Sequence, residues 1–306
     1  MQGKLFKYRG FNMWTLRCLT EAEVWYAQPS SFNDPLDCRP SIEVDLERAT
    51  LEKLYYRLML RRMEKNIAYQ KINYLRYLSS EYGDYKSDAK AEECLVRMLA
   101  RGIKDEVNAE IGMSGVLSLS ATWSSARMWS HYADEHRGIC IEYDTTEQDH
   151  PQLMPVNYRA SRAIKTSDLW RWKANDEADA KERVLQTYFY SKSSEWKYEK
   201  EWRDRRDVCG AHNVPFRITA IHFGLRCDNS IITSVVKLLN NRPAIKLYRV
   251  RPRGDTFRLS RFLLDRDETE AVGVSDPVFL MFKDVAVGEV DFTADEVAAE
   301  DPALPA

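Results

Sequence analysis

The hydrophobic period changes along this chain, and the order of the changes limits the fold more than any other feature. Residues 4–9 (Lys-Leu-Phe-Lys-Tyr-Arg) and Val24-Trp-Tyr-Ala27 read as short strands. Over residues 45–111 the spacing turns helical: Leu46, Leu51, Leu54, Leu58, Met59 and Met63, then Leu95, Met98, Leu99 and Ile103. Two or three helices are expected there, broken near Glu81-Tyr-Gly-Asp84. Alternation returns at residues 115–121 (Gly-Val-Leu-Ser-Leu-Ser-Ala). Ser124 is the expected N-cap of a helix running to Ala133, Gly138 its end, and Ile139–Tyr143 the next strand. Ala178–Tyr190 reads as helix, Arg217–Phe223 as strand and Ser230–Asn240 as helix. Ala244–Arg251 and Thr256–Leu259 read as a strand pair around Gly254-Asp255. Strands, then helices, then strands again specify an α+β fold rather than a βαβ wheel. The expected organisation is one α+β domain over residues 1–264 with a helical insertion over 45–111. Residues 265–306 follow as an acidic segment, mobile or partner-binding; after Lys283 it holds seven acids and no base.

Charge narrows the function classes. Lys+Arg is 45 and Asp+Glu 47, so a basic surface would have to be local rather than global. No apolar run is long enough to cross a bilayer, and the start lacks the apolar segment of a secretion signal. The six cysteines are scattered without a CxxC pair, which fits a cytoplasmic protein and argues against a zinc ribbon. Cys140, within Gly-Ile-Cys-Ile-Glu-Tyr, reads as a small buried hydrophobe. His131 and His136 lie five apart, not the four of HExxH, and no P-loop, dinucleotide fingerprint or GxSxG elbow occurs; no metal site is expected.

Four clusters carry the remaining chemistry. They are Lys7-Tyr8-Arg9, Ser31-Phe32-Asn33-Asp34-Pro35, Ser118-Leu-Ser120 with Met128-Trp129-Ser130-His131-Tyr132 behind it, and Glu195-Trp-Lys-Tyr-Glu199-Lys-Glu201-Trp202-Arg203. In this order, over roughly residues 4–260, they resemble a large bacterial domain family of unknown function. The same order resembles the ADP-ribosyltransferase superfamily. That plan places Arg or His on an early strand, Ser-Thr-Ser or Tyr on a middle strand ahead of a helix, and Glu, often Glu-x-Glu, on a late strand. Arg9, Ser118/Ser120 and Glu199-Lys-Glu201 fall in that sequence; Leu119 departs from it, standing where the plan has Thr. The resemblance implies small mixed or antiparallel sheets forming a cleft, NAD as substrate, no metal, and action as a toxin or phage-defence effector on nucleic acid or protein.

Cleaving the nicotinamide–ribose bond builds oxocarbenium-like charge on the ribose, which a fixed carboxylate stabilises in the transition state. Glu201 is the expected group. Glu199 would share its face on a strand, or, from a loop leading into the strand, take a proton from the acceptor. Arg9 has the fork geometry for the diphosphate, better than Lys7. Ser118 and Ser120 would bond the ribose or the carboxylate, and Tyr8, Trp129 or Tyr132 would stack on nicotinamide. Asn33, Asp34 and His131 complete the expected NAD-binding set. Each residue also has a plainer reading: Glu-x-Glu as a strand edge, Arg9 as a salt bridge to Asp34 or Asp37, Asn33-Asp34-Pro35 as a turn, Trp129 and Tyr132 as core, His131 as a structural histidine.

Between Arg159 and Arg206 stand thirteen Lys/Arg and nine Asp/Glu, interleaved with aromatics. That mixture fits an RNA-contacting surface and an ordinary solvated one equally, so the acceptor is left as RNA or protein. A regulatory or inhibitory protein is a further expected partner, at the acidic C-terminus; a membrane is not. The alternatives to the transferase are a nuclease using Asp34, His131 and Glu201, and a non-catalytic binding module.

Overall fold

The computed structural model describes residues 3–80, 88–146, 152–267 and 269. Its centre is an eight-stranded, mostly antiparallel sheet. The strands are β1 (Lys4–Arg9), β4 (Gly115–Ser120), β5 (Ile139–Asp144), β6 (Met154–Pro155), β8 (Glu201–Arg206), β10 (Arg217–Phe223), β11 (Lys246–Arg253) and β12 (Thr256–Leu263). They lie in the order β12-β11-β10-β5-β1-β4-β8-β6, with β10 and β11 the parallel neighbours. Two small pairs flank it: β2 (Glu23–Tyr26) with β9 (Gly210–Asn213), and β3 (Ser41–Glu43) with β7 (Ala163–Lys165). The α+β expectation holds.

The sheet is not uniformly knitted. β1 pairs with β5 along its whole length, and β4 likewise with β8. Between β1 and β4 the register has a single pairing, Phe6 with Ser120. Beyond that point the strands diverge, and side chains replace the ladder. Lys7 Nζ donates to the Ser118 carbonyl at 2.7 Å, and the Tyr8 hydroxyl donates to the Thr122 carbonyl at 2.8 Å.

Period-two alternation puts Leu5, Leu117, Leu119, Ile139, Ile141 and Tyr143 on one face, packed under α1 (Met13–Thr20) and α8 (Asn229–Leu238). A second core joins α2 (Arg48–Met59), α3 (Lys65–Ser80) and α4 (Ala89–Ile111) to α6 (Thr166–Asn175) and α7 (Ala178–Tyr190). In α4 the buried Leu95, Leu99, Ile103, Val107 and Ile111 recur every fourth residue, one stripe of a helix. This core also takes in Val116 of β4, so the helical segment is continuous with the sheet half that carries β4 and β8. The expected break at 81–84 lies outside the described residues. On the opposite sheet face Phe6, Tyr8 and Cys140 pack with Met128 and Trp129 of α5 (Ala126–Tyr132).

Two expectations at α5 need correction. Ser125, not Ser124, caps it, accepting from the Met128 N–H; Ser124 instead exchanges a hydrogen bond with the Thr122 hydroxyl. The helix ends at Tyr132, before a run of positive φ at Asp134, Glu135 and His136, so Gly138 does not end it. Gly138 is needed for close approach: a Cβ there would lie 2.3 Å from the Arg9 carbonyl oxygen.

Candidate functional site

Where β1 and β4 part, the sheet opens into a cavity of about 310 Å³. Strand β4 contributes Ser118 and Ser120, which face the same way because they are two apart. Register places Glu201 opposite Ser120 and Arg203 opposite Ser118, so β8 adds both to the same wall. Glu199 precedes the strand at the end of a 3-10 turn, Ser194–Glu199, and Lys200 between them is left-handed with φ 47°. The two glutamates therefore do not share a regular strand face; Glu199 projects from the segment leading into β8. Ser120 Oγ donates to the Glu199 carbonyl at 2.6 Å and fixes that turn.

The cavity floor is an ion network. Arg203, 1 % exposed, donates Nε to Glu201 Oε1 at 2.8 Å and Nη2 to Glu201 Oε2 at 2.9 Å. It also forks onto Asp37, Nη1 to Oδ1 at 2.9 Å and Nη2 to Oδ2 at 2.6 Å, and donates to the Phe189 carbonyl at 2.7 Å. Lys192, just after α7, donates to Glu199 Oε2 at 2.5 Å and Glu201 Oε2 at 2.9 Å, with Asp37 Oδ2 at 3.4 Å. The Tyr132 hydroxyl donates to Glu199 Oε1 at 2.6 Å, and Asn33 Nδ2 lies 3.4 Å from that hydroxyl. Two cations thus serve three buried carboxylates, each reached by at least one charge-assisted bond.

This arrangement pushes the two glutamates apart. Burial raises the Glu201 carboxyl, but the Arg203 guanidinium and the Lys192 ammonium outweigh it and hold Glu201 well below the usual range, fully ionised. Burial drives Glu199 the other way; Lys192 opposes that and the neighbouring Glu201 charge reinforces it, so its carboxyl stays above the ordinary value. Two carboxyls with opposed shifts, side by side, can divide the work of fixed anion and proton carrier. Burial, with the Arg9 charge beside it, also lowers Lys7 to about 8.

Of the residues singled out in the sequence, Tyr8, Asn33, Ser118, Ser120, Tyr132, Glu199 and Glu201 line this cavity. Four others are placed elsewhere. Arg9 is absent from the lining; Lys7, two residues back and next to the single β1–β4 pairing, is the β1 cation that reaches it. Asp34 lines a neighbouring cavity, and its carboxylate accepts the Leu36 N–H as a turn former. Trp129 is fully buried, edge-on to Tyr8 with ring centroids 5.2 Å apart, and its Nε1 donates to the Trp123 carbonyl. It positions Tyr8 and does not face the cavity. His131 is exposed on α5, so Asp34, His131 and Glu201 are not gathered in one cavity. Sequence reasoning missed Asp37 and Lys192 as site residues and treated Arg203 only as part of a motif.

Residues 128–203 match DUF2971, a family described as proteins of unknown function. No curated protein and no solved structure matches the chain. The DUF2971 stretch opens on Met128 and closes on Arg203, and so includes Tyr132, Lys192, Glu199 and Glu201. Lys7, Tyr8, Asn33, Asp37 and the two serines come from outside it. Among the described residues no helix is long and apolar enough to cross a membrane, and no group of three His, Cys, Asp or Glu side chains is disposed to hold a metal ion.

Proposed function

We propose that the chain is an ADP-ribosyltransferase-like enzyme that consumes NAD at the β1–β4 opening. One observation carries this reading. The early, middle and late strands of the superfamily plan, here β1, β4 and β8, are adjacent in the sheet, and side chains from all three line one cavity. The roles follow from the surroundings. Glu201, kept ionised by Arg203 and Lys192, is the fixed anion that favours the oxocarbenium-like ribose. Glu199, with its raised carboxyl and its bond from Tyr132, takes the acceptor's proton. Tyr8 offers a ring for nicotinamide, edge-locked by Trp129. Lys7 takes the diphosphate role that the sequence assigned to Arg9. The cavity, about 310 Å³, is at the small end for ligand sites and suits the nicotinamide riboside end rather than the whole dinucleotide.

The test is nicotinamide release from NAD, followed by chromatography, for the wild type and Glu199→Gln. Glutamine keeps the acceptor for Tyr132 but cannot take a proton, so turnover should fall by roughly 10²–10⁴ with the thermal unfolding midpoint little changed. Absence of nicotinamide release from the wild type, with RNA and protein acceptors supplied, would reject the reading. So would equal rates for the two proteins.

A further inference from the structure

Two further cavities adjoin the one at the β1–β4 opening. Asp37 and Lys192, which line it, also line a smaller cavity of about 250 Å³ on their other side. That smaller cavity shares Tyr158, Arg159, Ser191 and Ser194 with a wider groove of about 880 Å³ beside the edge strand β6. The three adjoin one another through these shared residues, and the innermost is the one walled by Glu199 and Glu201. Tyr158 ties the outer two to the site directly, since its hydroxyl accepts the Glu201 N–H at 2.8 Å.

The outer two cavities are cationic. Arg159, Arg162, Lys165 and Lys197 line them and are exposed, and none has a carboxylate partner among the described residues. Of the acids there, Asp168 is bound by Arg183, and Asp37 by Arg203 and Lys192; Asp34 lines the smaller cavity beside Arg159 and Arg162, and no unbound acid lines the wider groove with Lys165 and Lys197. Unpaired arginines in a concavity present forked donors to a planar or tetrahedral anion. A row of them along a trench suits a ligand that repeats its charge at regular intervals.

We infer that this trench binds a single-stranded nucleic acid through its phosphates. The small middle cavity has no room for a duplex. A phosphodiester strand supplies one charge per nucleotide along the trench, whereas acidic side chains of a peptide are neither regular nor obligatory. Binding stands without the preceding proposal; only the further role, that the bound strand is the acceptor of the transferred group, rests on it. The β11–β12 hairpin is also basic, with Arg251, Arg253 and Arg258 exposed, but its residues line none of these three cavities and it lies at the far edge of the sheet from β6. It serves as the control surface.

The experiment is fluorescence anisotropy of end-labelled single-stranded RNA and DNA oligonucleotides with the full chain, without NAD. The triple variant R159E/R162E/K197E changes exposed side chains only, and its circular dichroism and melting should match the wild type. Its dissociation constant should rise roughly tenfold or more, and the slope of log affinity against log salt should shrink by about 2, three phosphate contacts at ~0.7 each. The hairpin variant R251E/R253E/R258E carries the same charge change and should bind within about threefold of the wild type, by the same counterion argument. The inference is overturned if the wild type does not bind, if both variants weaken equally, or if polyglutamate displaces the labelled strand as readily as unlabelled RNA does. Nicotinamide release measured alongside separates the two proposals. Binding without release leaves the trench standing and removes the transferase, and release without binding does the reverse.

Discussion

Replacing Arg203 with methionine tests the ion network at its centre. The substitution keeps the apolar stem and about the same length, but removes five hydrogen bonds to oxygen, two to Glu201, two to Asp37 and one to the Phe189 carbonyl. Two carboxylates then remain in a site where the guanidinium was 1 % exposed, with only Lys192 within reach. Removing one partner of a buried ion pair costs about 3–5 kcal/mol, far more than the pair adds relative to an apolar replacement. For a domain of this size that is a fall in melting temperature of roughly 10 °C. The loss should depend on pH. In the wild type, Glu201 is held below its unfolded value, so its share of stability is present above the ordinary glutamate range and is lost only as pH falls through the depressed native value. In the variant only Lys192 opposes burial, so the Glu201 carboxyl sits above its wild-type native value and the penalty fades as pH falls toward about 4. Urea unfolding of both proteins between pH 7 and pH 4 should therefore show a gap that narrows on acidification. A loss under about 1 kcal/mol at pH 7, the range of an exposed pair, would refute the network as described.

Two further outcomes follow from single positions. If Lys7 meets the diphosphate, KM for NAD should rise as pH passes about 8, where Lys7 loses its charge, and Lys7→Arg should flatten that rise; a flat profile in the wild type would count against the role. Gly138→Ala should cost about 1–3 kcal/mol in thermal unfolding, since the new Cβ would meet the Arg9 and Ala133 carbonyls at 2.3 and 2.9 Å; an unchanged midpoint would mean that this junction is looser than drawn.

The fold was legible wherever one face of an element is buried. Residues 178–190 form α7 as expected, and residues 217–223 form β10, because alternation and helical spacing report burial directly. The serine pair and the glutamate pair were legible for a similar reason: residues two apart near a strand tend to reach the same wall. Asp37 and Lys192 gave no such signal. Each sits in irregular backbone, within a turn and after a helix end, where no period says which way a side chain points. Asp34 and Asp37 illustrate the limit: three residues apart in one loop, the first closes a turn and the second reaches Arg203. The exchange of Arg9 for Lys7 has another cause. Both lie on the same face of β1, and only the position of the lone pairing with β4, at Phe6, decides which of them stands beside the opening.

The lone pairing has a mechanical consequence. Five strands on one side and three on the other meet along a seam stitched by one residue pair and by two side chains, Lys7 and Tyr8. A sheet built this way resists shear within each half but yields between them. A molecule lodged in the opening would act as a clasp across the seam, and its arrival should register as slower amide proton exchange at the β4 groups that face β1.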